Sequence, residues 1–228
     1  MADETSLHAS ARVPMLNPAG MLDRLCDHFV DHGTVTRGTG GARLDGAFGV
    51  VALTLEAGAL DIAVTAPNES HLFVVKSSLA EHLVEFADGE TIALHWQGDA
   101  VGETRIPYFR EVVVQAARDI TPAMRRVTVA CDDPGHFATG GLHVRVLIPP
   151  RGRKPVWPGV GPDSRVVWPE GEDALAKRTY TIRAINHARS ELDIDVVLHN
   201  DSPGSAWARE AKAGDRVGLL GPGGGDVV

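Results

Sequence analysis

The chain has 228 residues, of which 43% are hydrophobic and 23% charged. This composition is that of an ordinary globular protein and excludes general disorder. A formal net charge of −8 leads us to expect no nucleic-acid partner. No apolar run approaches the roughly 18–20 residues of a membrane span, and the N-terminus lacks the order of a signal peptide. We therefore expect no membrane span and a cytoplasmic protein. The two cysteines, Cys26 and Cys131, are too few for a disulfide scaffold.

The charge is unevenly distributed along the chain. Residues 1–107 carry 6 basic and 15 acidic side chains, whereas residues 108–228 carry 16 and 15. Such a change in mid-chain predicts two domains with different properties. We place a small α+β domain at residues 1–100 and a second domain at residues 105–225, with the joint in Gln97–Glu103.

The first domain is predicted to contain two helices and three or four strands. Asn17 is a good N-cap, and Pro18 suits a first helical position because it has no backbone N–H to satisfy. Apolar residues then recur at helical spacing. The glycines from Gly38 to Gly46 are interpreted as a hairpin loop, since no phosphate-loop lysine follows them. The predicted elements are helices over 18–31 and 72–86, a hairpin of strands 50–55 and 60–64, and a strand around 91–95.

The second domain is predicted to be an antiparallel β-barrel. It contains six short β-rich runs but one helical segment, after Gly204, which we expect to end at Lys212–Gly214 with Gly214 as the C′ residue. A doubly wound fold would need a helix between most strands. The runs are 112–116, 127–130, 144–148, 179–183, 192–198 and 216–220.

A long interruption separates the third and fourth of these runs. Residues 149–177 contain six of the chain's 14 prolines, and loops of this length are typically functional or disordered. Four basic residues in it can attract an anion or form a solvated basic loop. They are Arg151, Arg153, Lys154 and Arg165.

Two short segments of the second domain carry the chemistry. In the run Arg178–Arg183, Arg178 and Tyr180 are two apart and share one face of a strand. The arginine fork suits phosphate, and the tyrosine ring suits a flat aromatic group. The alternative is a barrel strand with one exposed ion pair and a tyrosine in the core.

The second segment, His199–Trp207, leaves a strand through a polar turn and enters a helix. Its Pro-Gly-Ser turn presents free N–H groups and the positive end of the helix dipole, which favour an anion such as a diphosphate. The alternative is a plain N-cap. Together with the first segment, it makes a dinucleotide the favoured ligand.

These residues resemble known families. Arg178-Thr179-Tyr180-Thr181 resembles the Arg-x-Tyr-Ser/Thr signature of flavin-binding barrels in the ferredoxin reductase superfamily. An ordered set of segments resembles, more specifically, the siderophore-interacting proteins, which are flavin-dependent ferric-siderophore reductases. The set consists of 122–128, 143–147, 178–183, 192–199 and 214–218.

The resemblance implies an FAD cofactor and a role for each matching residue. Arg178 would contact the FAD diphosphate and Tyr180 the isoalloxazine ring. Thr181 would lie near flavin N5 and is the expected catalytic residue. Backbone N–H groups of Gly204 and Ser205 would bind the diphosphate. His199 and Trp207 would shape the pocket.

The resemblance also implies an activity, namely reduction of a ferric siderophore so that Fe(II) is released. Family members continue into an NAD(P)H-binding domain, and residues 221–228 are interpreted as a truncated linker to it. The electrons would then come from NAD(P)H bound by a missing domain or by a partner. One alternative is a non-enzymatic module that binds flavin or a ferric siderophore. Another is a flavin-dependent carrier that serves a different acceptor.

The first domain resembles a small domain of unknown function that occurs beside siderophore-interacting proteins. His28 and His32 are four apart and therefore share a helical face, with Cys26 nearby. They could ligate a metal, joined by His82 or His95 in space. We favour the reading in which they flank the apolar stripe, and we expect no metal site.

Overall fold

The computed structural model describes residues 6–199 and 202–223. They form two compact units. The first unit comprises the residues up to 107 together with residues 159–167, and the second comprises residues 108–158 and those from 168 onward. In this part of the chain, no helix is long and apolar enough to cross a membrane.

The first unit is a six-stranded antiparallel sheet with two helices. The strand order is β2-β3-β4-β5-β1-β6, and its core includes the fully buried Leu25, Leu60 and Leu72. The α+β character predicted from the sequence is therefore confirmed. The elements are β1 (Leu7–Pro14), α1 (Pro18–Phe29), β2 (Gly33–Gly38), β3 (Gly41–Gly46), β4 (Gly49–Glu56), β5 (Ala59–Ala66), α2 (Glu69–Glu85) and β6 (Gln97–Gly98).

Both helices of this unit begin at asparagine N-caps. The Asn17 side chain accepts a hydrogen bond from Gly20 N at 2.9 Å, as the Asn-Pro pattern predicts. Asn68 accepts one from His71 N at the same distance. Each cap satisfies one N–H that the first helical turn would otherwise leave unpaired.

One local prediction for this unit is wrong and another is too broad. Residues 91–95 form no strand, although Leu94 and Trp96 are buried and their neighbours are exposed. Alternation reports burial on one face, whereas a strand also needs a hydrogen-bonded neighbour. The segment Gly38–Gly46 does contain a hairpin turn, but the loop is limited to residues 39–40, because β2 and β3 pair from Gly38↔Gly41 outward.

The second unit is a closed six-stranded antiparallel barrel of order β12-β13-β8-β7-β14-β9. This architecture confirms the prediction from the six β-rich runs. Its core alternates along the strands, as with Leu192, Ile194 and Val196. The elements from residue 108 onward are β7 (Phe109–Thr121), β8 (Met124–Ala130), β9 (His143–Ile148), β10 (Gly159–Val160), β11 (Val166–Val167), β12 (Ala176–Asn186), β13 (Glu191–Val197), α3 (Pro203–Glu210) and β14 (Arg216–Gly223).

The end of α3 and the C-terminal segment differ from expectation. The helix ends at Glu210, because Ala211 turns away with ψ of 129°. Gly214 is therefore not its C′ residue, but it does adopt a positive φ of 93° in the following turn. Gly221–Gly223, expected in a linker, belong to β14. Residues 224–228 lie outside the described residues.

The long interruption between β9 and β12 contributes a hairpin to the first unit. β10 pairs with β11, and Val160 N donates to Thr104 O at 3.1 Å. Trp96 Nε1 donates to the carbonyl oxygen of Asp163 at 3.0 Å. The hairpin is thus held by hydrogen bonds to residues that precede the barrel in the chain.

Three of the four basic side chains in this interruption form ion pairs within the chain. Arg151 pairs with Glu210, Arg153 with Glu172 and Asp173, and Arg165 with Asp163. These ion pairs favour the alternative in which the four residues form a solvated basic loop, rather than a site that attracts an anion.

Candidate functional site

A cleft of about 690 Å³ runs along one strand of the barrel. Pockets of roughly 300–1,000 Å³ are typical of small-molecule and cofactor sites. Most of its wall is the run 178–183 of β12, to which β13 adds Asp195 and Val197. Leu142, His199 and Ser202 complete the lining.

β12 places Arg178 and Tyr180 on the same side of the cleft. Arg178 pairs in register with Val146 and Tyr180 with Val144, two buried residues of β9. Arg178 is exposed, and its Nη1 donates to Lys177 O at 2.7 Å; no carboxylate within the described ranges forms an ion pair with it. Burial raises the pKa of the Tyr180 phenol, so this hydroxyl stays protonated. The site therefore combines a cation with a neutral aromatic ring.

The start of α3 meets these two side chains at Gly204. A Cβ at position 204 would collide with Tyr180 Oη and lie 3.1 Å from Tyr180 Cζ and 3.3 Å from Arg178 Cγ. Only glycine leaves room for both side chains against the helix at this point. The Tyr180 ring, the aliphatic stem of Arg178 and the start of α3 therefore meet at this point.

The backbone N–H of Ser205, which the resemblance implies as a diphosphate ligand, is paired within the chain. It donates to Ser202 Oγ at 3.1 Å, so Ser202 is the N-cap of α3. The Ser205 hydroxyl oxygen, in a side chain that is 1% exposed, accepts from His199 N and from Ser202 Oγ, both at 2.8 Å. Ser205 thus joins the end of β13 to the start of α3.

Replacing Ser205 with alanine should destabilise the second unit. The variant leaves the His199 N–H and the Ser202 O–H without their shared acceptor, and both bonds are part-buried. The cost is then at the lower end of the range of about 1–3 kcal/mol for a fully buried group. Urea unfolding of the full chain measures the effect, with the exposed Ser10→Ala as control. Equal midpoints for the two variants would contradict the role assigned to Ser205.

The other predicted site residues lie at different depths. Thr181 is exposed, lines the cleft and pairs in register with His143 of β9. His199 is exposed and also lines the cleft. Trp207 is 7% exposed and packs in the barrel core, with its ring centroid 6.4 Å from that of Tyr180. Trp207 therefore belongs to the core cluster against which Tyr180 packs.

Sequence reasoning missed an ion pair in the cleft wall. Asp195 accepts from Arg126 Nε and Nη2 at 2.6 and 2.7 Å, and Arg183 Nε lies 4.0 Å away. The hydrogen bond from Arg126 is the main cause that lowers the pKa of Asp195. The alternation along β13 places Asp195 outside the core, which was the available signal. The charge of the Asp195 carboxylate is balanced by Arg126. The exposed Arg183 is therefore a second cation at the cleft.

The histidines of the first unit also converge. His28 of α1 and His82 of α2 have ring centroids 4.1 Å apart, and His32 lies 5.1 Å from His28. We call these three residues the imidazole cluster. Within residues 6–199 and 202–223, no group of three or more His, Cys, Asp or Glu side chains is arranged to hold a metal ion.

Two family models match the chain in consecutive segments. Residues 113–226 match the siderophore-interacting FAD-binding domain. Residues 10–97 match a domain described as an uncharacterized protein conserved in bacteria, DUF2218. The first match covers the barrel strands and the cleft.

Curated relatives are similar to about half of the chain. Ferric vibriobactin reductase ViuB of Vibrio cholerae is 34% identical over 112 residues, which are 48% of this chain and 41% of the relative. The NADPH-dependent ferric-chelate reductase of Escherichia coli is 31% identical over 122 residues, 53% of this chain and 47% of the relative. The chain therefore spans less than half the length of these relatives.

Among solved structures, the siderophore-interacting protein SipS from Aeromonas hydrophila is 31% identical. The alignment covers 51% of this chain and 43% of SipS, with a TM-score of 0.39. The family match extends over half of the chain and contains the whole run 178–183. The chain belongs to the siderophore-interacting FAD-binding family, and FAD is its cofactor.

Proposed function

We propose that FAD binds in the barrel cleft and that the chain uses it to reduce ferric siderophores. The observation that carries the proposal is the convergence of Arg178, Tyr180 and the start of α3 at Gly204. A flavin dinucleotide needs a flat apolar face for its ring and a cationic, N–H-rich place for its diphosphate. The cleft offers the aromatic face and the cation on one strand, and the start of α3 adds the positive end of its dipole.

The residues present fit this cofactor. The Arg178 fork can bind a diphosphate oxygen pair, and the start of α3 adds the positive end of its dipole. The absence of a side chain at Gly204 lets the Tyr180 hydroxyl and the Arg178 stem pack against the start of α3. Tyr180 is held from behind by Trp207, so its ring is preorganised to face a planar ligand.

Bound FAD supplies the redox chemistry, because it can take two electrons at once and pass them on singly. The chain's own residues bind and orient it. Tyr180 would cover one face of the ring, and Thr181 is the residue that we propose beside flavin N5. His199 lines the same cleft and would help to shape the pocket. No acid–base pair is required of the protein, since reduction of Fe(III) transfers an electron without breaking a covalent bond.

We infer a ferric siderophore as substrate and reduced nicotinamide as the source of electrons. Relatives that match about half of the chain are named ferric vibriobactin reductase and NADPH-dependent ferric-chelate reductase, which supports both assignments. Hard oxygen donors hold Fe(II) less tightly than Fe(III), so reduction would allow the iron to leave. The nicotinamide would come from solution or from another protein segment or partner.

The experiment has two stages on the full chain. The purified protein is incubated with FAD, freed of excess, and its visible spectrum is recorded. The flavin is then reduced without oxygen, a ferric siderophore is added, and Fe(II) is trapped by a coloured chelator. We expect retained flavin and formation of about two Fe(II) per flavin, the electron balance of a two-electron cofactor.

The outcomes separate the candidate functions. Retained flavin with no Fe(II) would favour a non-enzymatic binding module. Retained flavin that reduces unrelated acceptors as fast as ferric siderophores would indicate a general electron carrier. No retained flavin would contradict the proposed site.

A further inference from the structure

The imidazole cluster lies where α1 and α2 meet, far along the chain from the cleft residues. His28 comes from α1 and His82 from α2, and their rings are tilted by 41° at a centroid distance of 4.1 Å. His28 and His82 are half-buried and His32 is exposed. Phe29 and Phe86 surround them, with centroids 5.2 and 5.5 Å from His82. Ring contacts therefore form part of the interface between the two helices.

The hydrogen bonding of His82 identifies its free nitrogen. Its Nδ1 lies 2.7 Å from Ser78 O, and because a carbonyl oxygen can only accept, Nδ1 carries the hydrogen. In the neutral ring Nε2 then carries no hydrogen, so a proton added there would place a positive charge against the His28 ring, whose centroid is 4.1 Å away.

The charges around the cluster act on His28 in both directions. Burial is the largest cause that lowers the pKa of His28, followed by the nearby His82 and His32; Glu85 and Asp31 raise it and rank behind these three. Arg24 of α1 is occupied, since it donates to Phe86 O at 2.7 Å and to Asp88 at 2.8 Å.

We propose that the imidazole cluster is a proton-sensitive contact, which holds α1 against α2 when its rings are neutral and loosens this part of the first unit when they are protonated. Two neutral rings can stack at this distance, whereas two imidazolium ions about 4 Å apart repel each other. The half-buried position also makes each charge harder to solvate.

The direction of the pH effect follows from the lowered pKa of His28. Below the ordinary histidine value of about 6.5, the unfolded chain binds more protons than the folded one. Stability is therefore fully present above that value and is lost as the pH falls from it toward the folded pKa.

Hydrogen exchange on the full chain tests the proposal. After correction for intrinsic rates, protection of the amides in α1 and α2 should fall on going from about pH 7.5 to about pH 5.5, by roughly tenfold for each unit that the pKa is lowered. His28→Gln and His82→Gln should remove most of this dependence. His95→Gln, an exposed histidine of the same unit, should keep it. Unchanged wild-type protection, or an equal fall in all variants, would overturn the proposal.

Imidazole NMR covers the case in which a buried variant does not fold. In the wild type, His28 should titrate below the ordinary value. In His32→Gln, which removes an exposed neighbour, its pKa should move upward because one repelling charge is gone. A His28 pKa at or above the ordinary value would refute the idea without any buried substitution.

Discussion

Replacing Arg178 with alanine should weaken FAD binding by roughly 10- to 150-fold. The side chain is exposed in the cleft beside Gly204, and a charge-assisted hydrogen bond is worth about 1.5–3 kcal/mol. Isothermal titration of the apoprotein with FAD measures the change. The FAD affinity of Arg178→Lys should lie between those of the wild type and Arg178→Ala, since lysine keeps the charge and loses the planar fork.

Arg189→Ala is the matched control for this experiment. Arg189 is an exposed arginine between β12 and β13, and its Nε lies 3.1 Å from Glu191. The Arg189→Ala substitution also removes a guanidinium from the second unit, but at a position that does not line the cleft. If Arg178→Ala binds FAD as tightly as Arg189→Ala, the diphosphate role of Arg178 is lost.

The largest loss of stability should come from Phe137→Ala. Phe137 is fully buried in the short turn Pro134–Phe137, which packs against β12 and β14. Deleting a buried phenylalanine leaves a cavity and costs about 3–5 kcal/mol. At about 4–8 °C per kcal/mol for a unit of this size, the temperature of flavin release should fall by more than about 10 °C.

The control here is Phe48→Ala in the first unit. Phe48 is 48% exposed, so its deletion removes a ring without creating a closed cavity. Its release temperature should stay close to that of the wild type. A Phe137 variant that behaves in the same way would show that the ring does not support β12.

The sequence alone was sufficient for the barrel and for the main cleft residues. Antiparallel strands that are buried on one face show apolar and polar residues in alternation, so runs such as 192–198 could be recognised one by one. Arg178 and Tyr180 could be paired because residues two apart share a face of any strand. The N-cap at Asn17 was visible for the same reason, since capping depends on the next few residues only.

Contacts between distant residues could not be derived in this way. The Arg126–Asp195 ion pair joins residues 69 apart, and its existence depends on which strands become neighbours. The Ser205 hydroxyl is six residues from His199, but its role as acceptor depends on how the turn closes. In the first unit, β1 was missed because its sequence shows no turn signals that separate it from the start of the chain.

The β10–β11 hairpin bears on how such a protein can be divided or assembled. A chain made by simple end-to-end fusion could be cut once, near residue 107, into two independent products. Here the single cut would leave residues 159–167 on one fragment and their partners Trp96 and Thr104 on the other. Exchanging the N-terminal half would likewise leave residues 159–167 without their hydrogen bonds to Trp96 and Thr104, unless the incoming half carried equivalent groups. A division of the chain that keeps the hairpin with its hydrogen-bonding partners must therefore keep residues 159–167 with Trp96 and Thr104.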